Sequence, residues 1–334
     1  MKSLRFLFPA LFLTLPTLAQ SPFFPEEMVV TATSLNLRET PDKNGKKITS
    51  LSRGTVVQFV EAHDNGQWVQ ADANDPNSPY GPWLKIRHQG KTGYAFGIYL
   101  SGTIGLFREQ EMVHDESPLP PFHWYGVYQR DSFADELRKI EVRVEKTYSE
   151  FYGDTIQVLK TNQKMESKFI VGSFQPMKTG YAGPLGVYEV QHFYLSGQLS
   201  PGNTTSIHAG YDDKNPNEAA EKPSYTLVAT GCASMDANEF FSVRVSDYKL
   251  SLLDFTTTPA RRQDLTPWVQ IASEEAMPTV SLSWYGDLDM DGKPDAILND
   301  CPYEMGCRES IFLSSKAKPG EYLKKVCERF WPMD

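Results

Sequence analysis

Several features are scarce in this chain of 334 residues. Basic residues are outnumbered: 33 Lys and Arg stand against 42 Asp and Glu, a formal net charge of −9. Nucleic-acid phosphates are bound by positive surfaces, so this balance excludes nucleic acid as the expected partner. Beyond the N-terminus no apolar run reaches the ~20 residues of a membrane-spanning helix. The six histidines, His63, His88, His114, His123, His192 and His208, show no H-x-x-x-H spacing, which removes the usual zinc-hydrolase signature. No Gly-x-Ser-x-Gly elbow is present, and no Gly-rich phosphate loop or dinucleotide fingerprint. Four cysteines, Cys232, Cys301, Cys307 and Cys327, all fall in the last third, and their spacing does not fit a zinc ribbon.

What remains is enough for real cores. Hydrophobic residues make up 40% and aromatics 12%, while 23 Gly and 23 Pro punctuate many short alternating runs. That pattern favours strands and turns. The expected fold class is mainly β: a small barrel followed by a larger, mostly antiparallel β domain with one or two short helices. Residues 1–19 read as a secretory signal peptide. Lys2 and Arg5 precede the apolar run Phe6–Leu15, and Ala19 supplies a small residue at the cut. Export to the periplasm or outside the cell makes disulfides the expected fate of the cysteines. Cys301 and Cys307 enclose a short loop and form the favoured bridge, with Cys232–Cys327 as the second.

The most specific chemistry lies in Gly286-Asp287-Leu288-Asp289-Met290-Asp291-Gly292-Lys293-Pro294-Asp295. Four carboxylates crowd into nine positions and repel one another unless a cation joins them. Gly292 permits the sharp curl that brings alternate side chains onto one ion. The expected ligands are Asp287, Asp289, Asp291 and Asp295, with the main-chain carbonyl of Lys293. An EF-hand would need Glu where Leu298 stands. Val280, Leu282 and Trp284 alternate ahead of the run and Ala296-Ile297-Leu298 follows, so the setting is strand, loop, strand. The run resembles the calcium loops of FG-GAP and integrin-type β-hairpins, D-x-D-x-D-G-x-x-D, and the resemblance implies bound Ca2+. One copy is present, so no propeller of such repeats is implied.

Near the N-terminus, Ser34-Leu35-Asn36-Leu37-Arg38 alternates as an inward strand face. Pro41 and a turn at Gly45 follow, then Ile48, Leu51, Gly54, Val56 and Val57. Trp83-Leu84-Lys85-Ile86 and Gly90-Lys91-Thr92-Gly93-Tyr94 close the set. Over residues 29–101 the chain resembles a bacterial SH3-like (SH3b) domain. That resemblance implies a small barrel serving as a binding or targeting module on an exported protein, often for cell-wall peptides. Between Phe59 and Trp83 the chain carries an added polar stretch around residues 72–79, a surface loop of the kind that carries binding. Trp68, Tyr80, Trp83 and Tyr94 are the candidate groove residues, with Trp68 and Tyr80 the ones expected to be exposed.

Residues 102–121, with Gly102, Gly105 and Glu116-Ser117-Pro118-Leu119-Pro120-Pro121, read as a Pro-rich linker. From 122 to 334 alternating runs predict strands, including a hairpin through Val142, Val144, Ile156 and Val158. Asp131–Lys139 and Gly320–Arg329 have helical leanings, and the polar block 210–222 reads as a loop. Cys232 in Thr230-Gly231-Cys232-Ala233-Ser234, with His208 upstream, loosely resembles an L,D-transpeptidase. Thr230 replaces that family's His and Ser234 its Arg, however. No His follows Cys232, as a papain-like peptidase would need, so the thiol lacks a base to activate it. No catalytic residue is assigned. The expected function is an exported, non-enzymatic binding protein whose SH3-like module engages a cell-envelope component or peptide, with a structural calcium loop behind it. The alternatives are a cell-wall-modifying enzyme and a calcium-dependent adhesion protein.

Overall fold

The computed structural model describes residues 23–71, 78–112, 119–131, 134–150, 153–183, 187–190, 204–207, 225–235, 243–269, 280–301 and 306–331. The expected signal peptide, most of the added loop and the polar block 210–222 lie outside the described residues. The fold is mainly β, as its short alternating runs predict. Among the described residues no helix is long and apolar enough to cross a membrane.

The N-terminal strands are β1 (Glu27–Val30), β2 (Ser34–Arg38), β3 (Lys47–Ser52), β4 (Val56–Ala62), β5 (Val69–Gln70), β6 (Tyr80–Gly81), β7 (Trp83–His88), β8 (Lys91–Phe96) and β9 (Leu100–Gly102). Seven of them form one curled sheet in the order β3-β2-β8-β7-β4-β1-β9, and β5 pairs with β6 alone. Alternation sets the inner face: Val30, Leu35, Leu37, Leu51, Val57, Leu84 and Ile86 form a buried cluster. His88 pairs with Lys91 across a two-residue turn in which Gln89 and Gly90 both take positive φ, 46° and 76°. That is the backbone whose twist suits a tight hairpin.

The stretch expected to be a linker is only partly one. Ile104–Phe107 is β10, the edge of a second sheet. That sheet also contains β11 (His123–Asp131), β12 (Ala134–Ile140), β15 (Phe169–Ser173) and β16 (Gly180–Gly183), in the order β10-β15-β11-β12-β16. Between them β13 (Val142–Ser149) and β14 (Asp154–Thr161) form the expected hairpin. A third sheet holds β17 (Val187–Val190), β18 (Thr204–Ile207), β19 (Tyr225–Met235), β20 (Val243–Asp254) and β21 (Arg261–Asp264). The last sheet is β22 (Val280–Gly286), β23 (Asp295–Asp300), β24 (Cys307–Leu313) and β25 (Lys324–Trp331).

This last sheet is the middle layer of the C-terminal region. On one face Ala296, Leu298 and Phe312 pack with Leu227, Ala229, Leu250 and Leu252 of the third sheet. On the other, Ile297, Ile311 and Leu313 pack with Leu106, Val127, Leu137 and Val171 of the second. Burial on both faces removes the need for alternation, and consecutive positions Asp295 through Leu298 are all buried.

Both stretches with helical leanings carry strands among the described residues, β12 and β25. In β12, Asp135 and Leu137 point inward while Glu136 and Arg138 are half-buried. Asp135 is kept inside by Lys168 Nζ at 2.7 Å and by Trp284 Nε1, which donates at 3.0 Å. In β25, Lys325 and Cys327 are buried against the same layers, with Lys325 Nζ donating to Trp268 C=O and to Glu328. Tertiary pairing overrides the propensity of Lys-, Glu- and Arg-rich segments. Among the described residues the helical turns are 3-10: His63–Gly66, Gly97–Tyr99 and Thr266–Trp268.

Cys301 and Cys307 are bridged, with Cα atoms 4.1 Å apart. The expected Cys232–Cys327 pair is not formed. Cys232 is exposed on β19, whereas Cys327 lies in the core between the second and middle sheets. Burial pushes the Cys327 thiol up to about 12, so at neutral pH it stays protonated and behaves as a small apolar side chain.

The barrel meets the layered region along β9, β10 and β25. Glu26 accepts from Lys318 at 2.9 Å and pairs with Lys324 at 2.6 Å, while Arg53 donates to the Leu119 carbonyl at 2.7 Å. Deeper in the layered region, buried Glu309 pairs with Arg108 and Arg329, and Arg329 also reaches Glu111 at 3.0 Å.

Candidate functional site

Two places combine exposed or unusual chemistry. The first is an aromatic pair on the barrel. After β4 the chain makes a left-handed turn in which Asp64, Asn65 and Gly66 take φ of 46°, 55° and 81°. The non-glycine positions there are a Asp and an Asn, the types that tolerate this region. The turn throws Trp68 outward. Val69 then pairs with Gly81 and Gln70 with Tyr80, and the Ala71 amide donates to the Pro79 carbonyl at 2.7 Å. This short ladder sets Trp68 beside Tyr80, with ring centroids 5.9 Å apart. The two are 51% and 56% exposed, although each carries a large apolar surface. Trp68 also borders a cavity of about 390 Å3 that runs past Pro82, Ile98 and Phe107 toward Arg329.

The other two groove candidates differ. Trp83 is 7% exposed and packs edge-on against Phe96 at 5.2 Å, so it belongs to the barrel wall and is not available to a ligand. Tyr94 is half-buried, with His63 at its edge and Lys85 Nζ 5.8 Å from its ring centre. The structure thus brings Trp68 and Tyr80 together and gives Trp83 and Tyr94 other neighbours.

The second place is the acidic loop between β22 and β23. Its entry is tightly held: a Cβ at Gly286 would lie 1.9 Å from the Ala182 carbonyl, which accepts the Asp287 amide at 2.8 Å. Gly292 takes φ of 85°, the left-handed value expected of it. Asp287, Asp289 and Asp295 converge, each offering a carboxylate oxygen within 4.8 Å of the others. Asp295 is fully buried and is held by the amides of Leu288 at 2.7 Å and Ser314 at 2.8 Å. Asp287 caps the amides of Asp291 and Gly292. Asp291 stands outside the group of three; it accepts from the Lys293 amide at 2.8 Å and the Ser314 hydroxyl at 3.2 Å. Lys293 has an exposed side chain.

Electrostatics at the loop are adverse without a counter-charge. Burial pushes the Asp295 carboxyl up to about 8, with Asp289 adding repulsion and the two amides opposing it. Burial also raises Asp287 and Asp289 above the ordinary carboxylate value. One oxygen of Asp289 is buried with no hydrogen-bond partner, a costly arrangement unless something else satisfies it. A donor set made of carboxylate oxygens suits a hard divalent cation, so the residues present fit such an ion.

Ser314 and Ser315 were not legible as site residues. Their amide and hydroxyl groups reach Asp295, Asp291 and, from Ser315, Asp289. They follow β24, and only its pairing with β23 carries them to the loop. A Ser-Ser pair after a strand carries no signal of its own.

Comparison with known proteins speaks to the barrel. Residues 33–101 match the bacterial SH3 domain family. The chain is 41% identical over 76 residues to a protein of Listeria grayi named "Probable endopeptidase p60", a match that covers 22% of this chain and 12% of that protein. No solved structure matches. A bacterial SH3 domain is therefore present at the N-terminal end, and the layered region beyond it lies outside the family match.

Proposed function

We propose that this chain is an exported binding protein of the bacterial cell envelope, whose SH3 barrel engages a peptide ligand of the peptidoglycan type through Trp68 and Tyr80. The observation that carries this reading is the exposed aromatic pair. Two large rings held side by side in water by a rigid ladder are the usual material of a binding hot spot. The test is co-sedimentation of the full chain with purified peptidoglycan. Trp68→Ala is expected to weaken binding about tenfold or more, and to change stability by less than about 0.5 kcal/mol because the ring is exposed. Equal binding by wild type and Trp68→Ala/Tyr80→Ala would refute the reading.

The acidic loop, in this reading, holds one calcium ion through Asp287, Asp289 and Asp295. The ion neutralises carboxylates that crowd one another, and it ties the β22–β23 turn to the Ser314 segment. Its role is structural. The carrying observation is the convergence of three carboxylates with an unpartnered buried oxygen. Calorimetric titration with calcium should give a saturable heat in the intact chain and none in Asp289→Ala. Catalysis is assigned to no residue. Cys232 has no His after it in the chain, and Cys327 is a buried, protonated thiol.

A further inference from the structure

A second cavity of about 490 Å3 lies in the layered region, on the side of the acidic loop marked by Lys293 and Pro294. Its walls come from the ends of β20 and β21 and from the segment that precedes β25. Tyr225 and Tyr322 line it, edge to face with centroids 6.3 Å apart. Gln263 fixes the Tyr322 side: its Oε1 accepts the amides of Tyr322 and Leu323 at 2.8 and 3.0 Å, and its Nε2 donates to the Leu323 carbonyl at 2.6 Å.

Polar groups of both kinds converge on this space. Asp254 is buried yet borders the cavity, its Oδ1 accepting the amide and the hydroxyl of Thr256. Arg261, at the start of β21, is exposed at the rim. The Tyr322 hydroxyl is buried, with Arg261 and Asp254 the side chains that act on it. Burial raises its phenol, with Arg261 opposing and Asp254 reinforcing the shift. Burial likewise raises Tyr225, with Asp254 again adding to it.

The charge around the cavity is close to balanced. Asp254 and Glu321 face Arg261, Lys293 and Lys318, and Lys318 is engaged by Glu26 of the barrel. A phosphate or carboxylate would meet Asp254, and an ammonium would meet the basic rim. A lipid chain would leave the carboxylate and phenols unsatisfied. A neutral molecule with many hydroxyls satisfies acceptors and donors together, and its C–H faces can lie on tyrosine rings. We propose that this cavity is a saccharide-binding site, in which Asp254, Arg261 and Tyr322 hydrogen-bond ring hydroxyls and the tyrosine pair packs against the sugar face. It stands independently of the barrel's ligand.

The experiment uses the full chain with three neutral disaccharides as probes: the β-1,4-linked dimer of N-acetylglucosamine, cellobiose and maltose. Saturation-transfer NMR at millimolar sugar detects binding, and calorimetry measures it. At least one sugar is expected to bind. Arg261→Ala removes an exposed side chain and Tyr322→Phe keeps the ring, so both variants should fold, and each should weaken binding about tenfold. Trp68→Ala should leave sugar affinity unchanged, which separates this site from the barrel. The proposal is overturned if none of the three sugars binds, if binding persists in both variants, or if only Trp68→Ala abolishes it.

Discussion

The barrel and the layered region bury their strands in different ways, and the contrast explains where each keeps its chemistry. A barrel strand has one inner face, so Leu35 and Leu37 point in while their neighbours point out. Anything large and apolar that remains outside, such as Trp68 or Tyr80, is conspicuous. The middle sheet of the layered region has two inner faces, and β23 and β24 are buried almost throughout. Polar groups that fall there must be satisfied inside. Asp135 takes Lys168 and Trp284, Glu309 takes Arg108 and Arg329, and Asp295 takes two backbone amides. Surface excess marks the barrel's candidate site, whereas buried charge marks that of the layers.

The largest expected effect tests the two-faced sheet itself. Phe312 is fully buried between layers, so Phe312→Ala should cost about 3–5 kcal/mol in urea unfolding. A loss below about 1 kcal/mol would mean that the layers close without it. Next comes the buried charge. With calcium at about one hundred times its dissociation constant, the intact chain should gain about 2.7 kcal/mol over chelated protein. Asp289→Ala should lose that gain and Trp68→Ala should keep it, so a gain retained in Asp289→Ala would break the contrast between the two sites. Replacing Cys301 and Cys307 by Ala opens a short loop at the end of β23, with an expected loss of about 2 kcal/mol; equal denaturation midpoints would show that the β23–β24 register needs no clamp.

The smallest effect lies at the seam. Lys324 and then Lys318 hold the Glu26 carboxyl below its ordinary value. The folded chain therefore keeps Glu26 ionised to lower pH than the unfolded chain does. Its contribution is complete above the unfolded carboxylate value and fades as pH falls through the depressed folded one. Glu26 is well exposed, so Glu26→Gln should cost less than about 1 kcal/mol at neutral pH. The gap from wild type should close in acid; one that widened there would reverse the sign.

Legibility followed the same contrast. The barrel's strands and its Gly90 turn could be read from local pattern. So could the strand-loop-strand setting of Asp287–Asp295 and the Cys301–Cys307 bridge. Asp131–Lys139 and Gly320–Arg329 misled because Lys, Glu and Arg favour helix locally, whereas β12 and β25 are held extended by pairing with β11 and β24, the strands just before them. Cys327 looked pairable with Cys232 only because a count of cysteines carries no information about layers. The segment 102–121 read as a tether, yet Ile104–Phe107 joins a sheet through β15, far along the chain.

By itself the sequence determined a β protein with an SH3 barrel at one end and a carboxylate loop near the other. The β class and the loop rest on a two-residue period and on residue types whose chemistry is local, and the barrel's SH3 identity rests on resemblance to a known family. Only the tertiary structure decided that Trp83 is wall and Trp68 is surface, and that three of the four loop aspartates converge. It alone brought Ser314 and Ser315 to the loop and Tyr225 to Tyr322. The physical reason is that a strand buried on both faces carries no alternation, so which residues it meets across the layers cannot be read from its neighbours in the chain.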